Sequence, residues 1–523
     1  MTFQVPYATR LAVCGSKHLA LYQAIRDSIV GGALPSGERL PSTRQLAELY
    51  GLSRGSVSVA YEMLAAEGFV RSIVGRGTFV AGGTTETGLT LAAADAKPAS
   101  PSGDAEPALS AWGKRMMQAT LREPGGAAER SSAAEAEKIS FVPRGIGEQW
   151  FPWMEWKASV TAQWKRLGPG ESDERFVTEG SEELRRAIAG RLGRERGIAC
   201  AAEDIVITGG SMQAIALLSQ LLVESGDTVV TEDPCYPGIR QAVLSSGASL
   251  VTEPVDRQGI VPQDWEARML FVTPTRQFPT GAVLTFERRL ALLDWASRRN
   301  AWIVEDDYDS DFRWGGRPIE PLKSLDRGGR VIYVGSFSRS MRREIRIGYA
   351  VLPRSLREPF IRAKRLYDPY PEGIAEQRAL AGWMHSGGYD RHLRRMRRLF
   401  HKRYELLKAG LSRGLAALFE VHPADAGLLL YARWRADPAD YDRLKARCRT
   451  YGAAWGDGAK YAAAGRESGL SVVFGFAHLG EEDIAEGLSR IRRAAADLGL
   501  LSGNETKGER RDGGHAARRT GIV

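Results

Sequence analysis

Between residues 204 and 341 one pattern recurs five times: a short run rich in β-branched residues breaks off into acids, hydroxyls or a Pro/Gly turn. In "EDIVITGGSMQAIALLSQLL" a strand meets a Gly-Gly turn and then an amphipathic helix. "VVTEDPCYPG" is a strand ending in a Pro/Gly turn that carries Tyr236, and "MLFVTPTRQFPTG" runs into a similar loop. "AWIVEDDYDSDFRW" ends in acids and Tyr308, and "VIYVGSFSRSM" ends in hydroxyls. Strand and helix patterns alternate over residues 138–500, as in an α/β domain. Polar groups gathered at the carboxyl ends of successive strands mark the crevice of an open sheet. Backbone N–H groups at the helix start after the Gly-Gly turn form an anion cradle, so Gly210, Ser211 and Met212 are candidate phosphate ligands. Taken alone, a glycine turn before a helix is common.

At 523 residues the chain exceeds one ordinary core, so more than one domain is expected. Residues 15–82 form a compact patterned unit. Residues 83–137, including "ETGLTLAAADAKPASPSGDAEPA", are rich in Ala, Gly, Ser, Thr and Pro and read as a flexible linker. The tail, residues 501–523, has no apolar periodicity and reads as disordered. The longest mostly apolar run, residues 214–223, is too short to span a bilayer. The first residues lack a secretory layout, and the four cysteines lack paired spacing, so a cytoplasmic protein without a zinc site is expected. A net charge of +9 permits a nucleic-acid partner without demanding one.

In the first unit, "HLALYQAIRDSIVGG" places Leu21, Ile25 and Ile29 at helical spacing before a double-glycine stop. "LPSTRQLAELYG" offers Ser42 as N-cap with Gln45 three residues on, a capping box. In "LSRGSVSVAYEMLAAEG", Ser53 leads a third helix whose stripe is Val57, Tyr61 and Leu64. "FVRSIVGRGTFVAG" reads as a hairpin with a basic tip. Three helices plus a hairpin make a winged helix-turn-helix, an α+β unit. Arg54 and the hydroxyls of Ser53 and Ser56 lie at the end of the third helix that approaches base edges in a major groove. Arg44 and Arg76 could reach phosphates on either side. Ordinary surface arginines on a small accessory domain would give the same pattern.

The stretch from Leu21 to Val80 resembles the DNA-binding domain of GntR-type bacterial regulators over its whole length. Leu40-Pro-Ser-Thr-Arg44, Leu52-Ser-Arg54, Ala60-Tyr61, Glu67-Gly68 and Gly75-Arg-Gly-Thr-Phe79 fall in family order. The resemblance implies DNA contacts at Arg44, Ser53, Arg54, Ser56, Arg76 and Gly77. The later segments resemble the fold-type I, pyridoxal-phosphate-dependent aminotransferase domain, and the two together resemble the MocR/GabR subgroup of regulators. That resemblance implies Asp306 on the cofactor's pyridine nitrogen, Tyr308 on its ring hydroxyl and Tyr236 over its ring face. It implies Gly210, Ser211, Met212, Ser336, Ser338 and Arg346 around its phosphate. A strand end finished by Asp306 and Tyr308, with Arg346 paired to a surface acid, is the plainer alternative.

The family places a Schiff-base lysine at position 339, and here the residue is Arg339. An amine serves because it can lose its proton and attack an aldehyde. A guanidinium, delocalised and charged at any ordinary pH, cannot. Other departures are Arg276 where the subgroup has histidine, Arg343 for a proline, and no aromatic-Gly-Asp-Pro lead-in in "FVTEGSEEL". "LSVVFGFAHL" resembles the carboxyl-terminal strand without an evident carboxylate-gripping arginine. Lys323 is the nearest upstream lysine, with no geometric reason to substitute. The expected protein is therefore a homodimeric regulator, not an enzyme. It binds double-stranded operator DNA and holds pyridoxal phosphate, or its condensation product with an amino acid, non-covalently. Alternatively, positive charge from Arg276, Arg339 and Arg343 suits another anionic effector. The rivals are a working aminotransferase and a constitutive DNA-binding protein whose large domain only dimerises. "YDRHLRRMRRLFHKRYELL" reads mainly as a solvated, interface-flanking helix.

Overall fold

The computed structural model describes residues 3–81, 109–118, 139–167, 177–314, 319–463 and 469–501. The chain divides into two compact units, Met1–Ala108 and Leu109–Val523.

The first unit contains α1 (Tyr7–Cys14), α2 (Lys17–Val30), α3 (Thr43–Tyr50), α4 (Arg54–Ala66) and the hairpin β1 (Val70–Ile73) and β2 (Gly77–Val80). The capping box at α3 is complete: the Gln45 amide N–H donates to Ser42 Oγ at 3.3 Å, and the Ser42 amide N–H donates to Gln45 Oε1 at 2.9 Å. Gly51 and Gly68 adopt φ of 63° and 77°, which L side chains resist. Leu21, Ile25, Leu46, Val57 and Leu64 are fully buried in one cluster, each worth roughly 1.5–3 kcal/mol of burial. The packed unit also takes in residues ahead of position 15. Val5 and Tyr7 belong to the same core, the Val5 amide donates to Tyr50 Oη at 2.8 Å, and the rings of Tyr7 and Tyr50 lie 5.2 Å apart. An eight-residue helix with one buried residue carries too little periodicity to be read ahead of its partner.

The second unit begins with α5 (Ala111–Gln118), inside the stretch expected to be linker. Arg115 Nε donates to the Ser245 carbonyl at 3.0 Å, so this segment is docked on the large unit. The rest of the expected linker, residues 83–108 and 119–137, and the expected tail from residue 502 lie outside the described residues. Next come β3 (Ile139–Phe141), α6 (Trp153–Arg166), α7 (Glu182–Arg196), β4 (Ile205–Thr208), α8 (Ser211–Leu222), β5 (Thr228–Asp233), α9 (Pro237–Ser246), β6 (Ser249–Asp256) and β7 (Gly259–Ile260). They are followed by β8 (Met269–Val272), α10 (Phe286–Arg299), β9 (Trp302–Asp307), α11 (Leu322–Leu325), β10 (Val331–Ser336), β11 (Gly348–Val351), α12 (Arg354–Tyr367) and α13 (Ile374–His385). The chain ends with α14 (Gly388–Gly414), β12 (Phe419–Val421), β13 (Leu429–Trp434), α15 (Pro438–Thr450), β14 (Ala453–Asp457), β15 (Ser471–Gly475) and α16 (Glu481–Asp497).

The main sheet has the order β4-β11-β10-β9-β8-β5-β6-β7. Its centre, β10-β9-β8-β5-β6, is parallel, and β11 runs antiparallel between β10 and β4. β4 and β8 are buried at every position, as strands covered on both faces must be. A second sheet, β12-β13-β15-β14-β3, lies nearer the carboxyl end of the chain. The basic helix α14 buries Leu393, Met396, Phe400 and Leu407, and exposes Arg391, Arg394, Arg395 and Arg398.

Candidate functional site

The carboxyl ends of β4, β5, β8, β9 and β10 bring the expected residues to one place. Asp306, the penultimate residue of β9, is almost fully buried, yet its Oδ1 has no hydrogen-bond partner. Burial, reinforced by the neighbouring Asp307, pushes its carboxyl up to about 7. Tyr308 Oη is also buried without a hydrogen bond, although the Arg276 guanidinium lies nearby. Ser338 Oγ is a third such atom, and the Ser338 amide donates to Ser336 Oγ at 3.2 Å. Buried polar atoms are almost always paired, so three orphans at or beyond the carboxyl ends of β9 and β10 are open to bonds from a ligand.

At the start of α8, Gly210 has φ of 96°, and Ser211 and Met212 open the first turn with free backbone N–H groups. Only glycine fits at 348, because a Cβ there would sit 2.7 Å from the Gly210 Cα. Arg346 Nη2 donates to the Gly209 carbonyl, which sets its guanidinium against Gly210 and the cradle. Tyr236 is the N-cap of α9, and its ring meets Phe278 edge-on at 5.8 Å.

Several site residues escape sequence reasoning. Phe278 stands edge-to-face against Tyr236, Tyr308 (5.4 Å) and Tyr461 (5.1 Å), so an aromatic box forms around the crevice. Tyr461 arrives from after β14, with its carbonyl accepting from the Cys235 amide at 2.9 Å. Arg276 is not the spare cation expected of it. It is buried, pairs with Asp309 (Nε to Oδ2, 3.1 Å) and donates to the Leu429 carbonyl at 3.0 Å, which ties β9 to β13. Arg343 is exposed and pairs with Glu344 at 3.4 Å. Of the three arginines expected to add charge, only Arg339 has no hydrogen bond or ion pair among the described residues. Its charge bears on Asp306, Tyr308, Asp309 and Tyr461.

In the first unit, Arg54 is the first residue of α4 and is exposed. The hydroxyls beside it are engaged, as the cap expected at Ser53 requires: Ser53 Oγ accepts from the Ser56 amide at 3.1 Å and lies 2.8 Å from Ser56 Oγ. Their first duty is to cap the helix. Arg44 pairs weakly with Glu48 (3.5 Å), and both side chains are exposed. Arg76 projects from the hairpin tip, before Gly77 with φ of 112°. Arg39, unremarked in the sequence, lies along Gly77, where a Cβ would stand 3.0 Å from its Nε.

Residues 17–80 match the gntR family of bacterial regulatory proteins, and residues 160–457 match aminotransferase class I and II. The probable rhizopine catabolism regulatory protein MocR of Rhizobium meliloti is 35% identical over 485 residues, 91% of this chain and 93% of that protein. The HTH-type pyridoxine biosynthesis transcriptional regulator PdxR of Corynebacterium glutamicum is 29% identical over 413 residues, 78% of this chain and 81% of that one. A solved structure, the multiple substrate aminotransferase of Thermococcus profundus, superposes with a TM-score of 0.64 at 22% identity, covering 75% of this chain and 98% of that one. At that identity the likeness is one of fold.

Proposed function

The chain belongs to the MocR family of HTH-type transcriptional regulators, a GntR-type head joined to an aminotransferase-like domain, and from that premise we propose that it reads pyridoxal phosphate without turnover. The reading is supported most by one coincidence: buried polar atoms of Asp306, Tyr308 and Ser338 lack hydrogen bonds close to where a guanidinium stands at position 339. Pyridoxal phosphate, when bound, supplies an aldehyde conjugated to an electron-withdrawing ring. Asp306 would hold the proton of the ring nitrogen, and a cation there draws its raised carboxyl back toward the charged form. Tyr308 would face the ring hydroxyl and Tyr236 the ring surface. Gly210, Ser211, Met212, Ser336, Ser338 and Arg346 would hold the phosphate, the arginine as a fork. Arg339 supplies no nucleophile, so the ligand is held by these contacts alone.

The protein works in the cytoplasm as a homodimer whose two heads read two half-sites of an operator. Ligand binding shifts the heads only as far as the ligand distinguishes two arrangements. Arg54 enters the major groove, with Ser53 and Ser56 beside it, while Arg44, Arg76 and the backbone of Gly77 position the head on phosphates. Arg54→Ala is expected to weaken specific binding by about 1–3 kcal/mol with little change in the salt slope. Specific binding left intact in a gel-shift titration would remove Arg54 from the groove. For the pocket, wild-type protein mixed with pyridoxal phosphate, treated with borohydride and denatured should release its chromophore. Arg339→Lys should keep it. Retention by the wild-type chain would overturn the non-covalent reading.

A further inference from the structure

Arg339 follows Ser338, whose hydroxyl belongs to the orphan set, and its charge reaches Asp306, Tyr308, Asp309 and Tyr461. Accepting the function proposed above, the ring chemistry of a B6 phosphate fixes what this cation meets. With the ring nitrogen on Asp306 and the phosphate arm in the Gly210 cradle, the carbon opposite the nitrogen, C4, lies between that arm and the hydroxyl facing Tyr308. Arg339 stands between the same two places: it follows Ser338 in the chain and lines one cavity with Ser336 and Tyr308. The substituent on C4 is therefore the group the guanidinium confronts.

We propose that Arg339 is a specificity-determining residue that selects B6 phosphates bearing oxygen at C4′, as aldehyde, alcohol or carboxylate, over the aminomethyl form. A guanidinium has five N–H donors, no acceptor and a permanent charge, so an oxygen satisfies it and an ammonium repels it. The nearby carboxylates are engaged by other cations or donors, and where Asp309 Oδ1 lacks a hydrogen bond its charge is offset by Arg276. Asp306 is committed to the ring nitrogen, and Asp309 is paired with Arg276. Asp307 is taken by Arg196 and Tyr333, and Asp311 by Arg191 and Tyr389. Glu232 accepts from Thr273 and Gln277. Tyr308, whose phenol burial holds well above its ordinary value, offers only a neutral oxygen. A site that exchanged amino groups would have to tolerate the aminomethyl form, and this one opposes it.

Isothermal titration of the full chain at neutral pH with four probes tests this: pyridoxal, pyridoxine and pyridoxamine 5′-phosphates and 4-pyridoxic acid 5′-phosphate. The amine form is expected to bind at least about tenfold more weakly than the other three, the size of a close like-charge contact. Arg339→Gln is expected to narrow the spread to about threefold or less. Arg339→Met serves the same purpose should the glutamine variant misfold. Equal binding of all four by the wild-type chain overturns the selectivity and leaves the proposed function standing. Binding of none overturns both. A preference that survives in a folded Arg339 variant assigns it elsewhere and overturns the role of Arg339.

Discussion

Asp306 and Asp307 are neighbours at the end of β9, and successive strand residues point to opposite faces of the sheet. On one face Asp307 is saturated. Arg196 from α7 pairs with its Oδ2 at 2.7 Å, Tyr333 Oη donates at 2.5 Å, and Ser310 donates through Oγ at 2.7 Å and its amide at 3.3 Å. On the other face Asp306 keeps an oxygen with no partner. Both acids are equally buried, at 6% exposure each, so burial does not separate them. Completeness of the hydrogen bonding does. Asp307 is bonded by the chain itself, while Asp306 is left with an open oxygen, and that asymmetry supports the proposed role of Asp306.

Breaking the finished side should cost most. Arg196→Ala strands a buried carboxylate and is expected to lower unfolding stability by about 3–5 kcal/mol in denaturant titration. Tyr333→Phe removes one bond to the same carboxylate and should cost about 1.5–3 kcal/mol. A loss below about 0.5 kcal/mol in either would show that Asp307 is not held as described. On the open side, Asp306→Asn loses no bond and removes the cost of ionising a buried carboxyl, so the ligand-free protein should be no less stable at acid pH and more stable at neutral pH. The same variant should weaken pyridoxal phosphate more than tenfold by titration. A large stability loss with unchanged ligand binding would exchange the roles of the two acids.

The smallest effect is in pH dependence. Burial raises Asp306, Glu232 and Glu305 to about 7 and Asp309 to about 6. A carboxyl whose folded value is raised contributes stability that is full below its unfolded value near 4 and is lost as pH climbs through the folded value. Across this window the share these four contribute should decline from about pH 4 to pH 7. Asp306→Asn should flatten that decline, read from denaturation midpoints at pH 5 and 7.5. An unchanged slope would mean that Asp306 ionises freely.

Much of this was legible along the chain where the determinants are local. The capping box at Ser42, the cap at Ser53, the positive φ of Gly68 and the stripe of Val57, Tyr61 and Leu64 follow from residues a few positions apart, as does the Asp306-x-Tyr308 pairing on one strand end. What escaped depends on distant partners. Arg276 reads as free charge until the fold sets Asp309 beside it. Arg196 lies 111 residues from Asp307. Tyr461 reaches the box only because the segment after β14 crosses to Cys235. The helix α1 needed Tyr50 opposite it to be recognised, and α5 needed α9.

That last helix moves the boundary of the large unit. Arg115 of α5 is fastened to the Ser245 carbonyl, so the large unit takes in residues well ahead of position 138. The helix is moored at the rear of α9, whose front residue, Tyr236, borders the crevice.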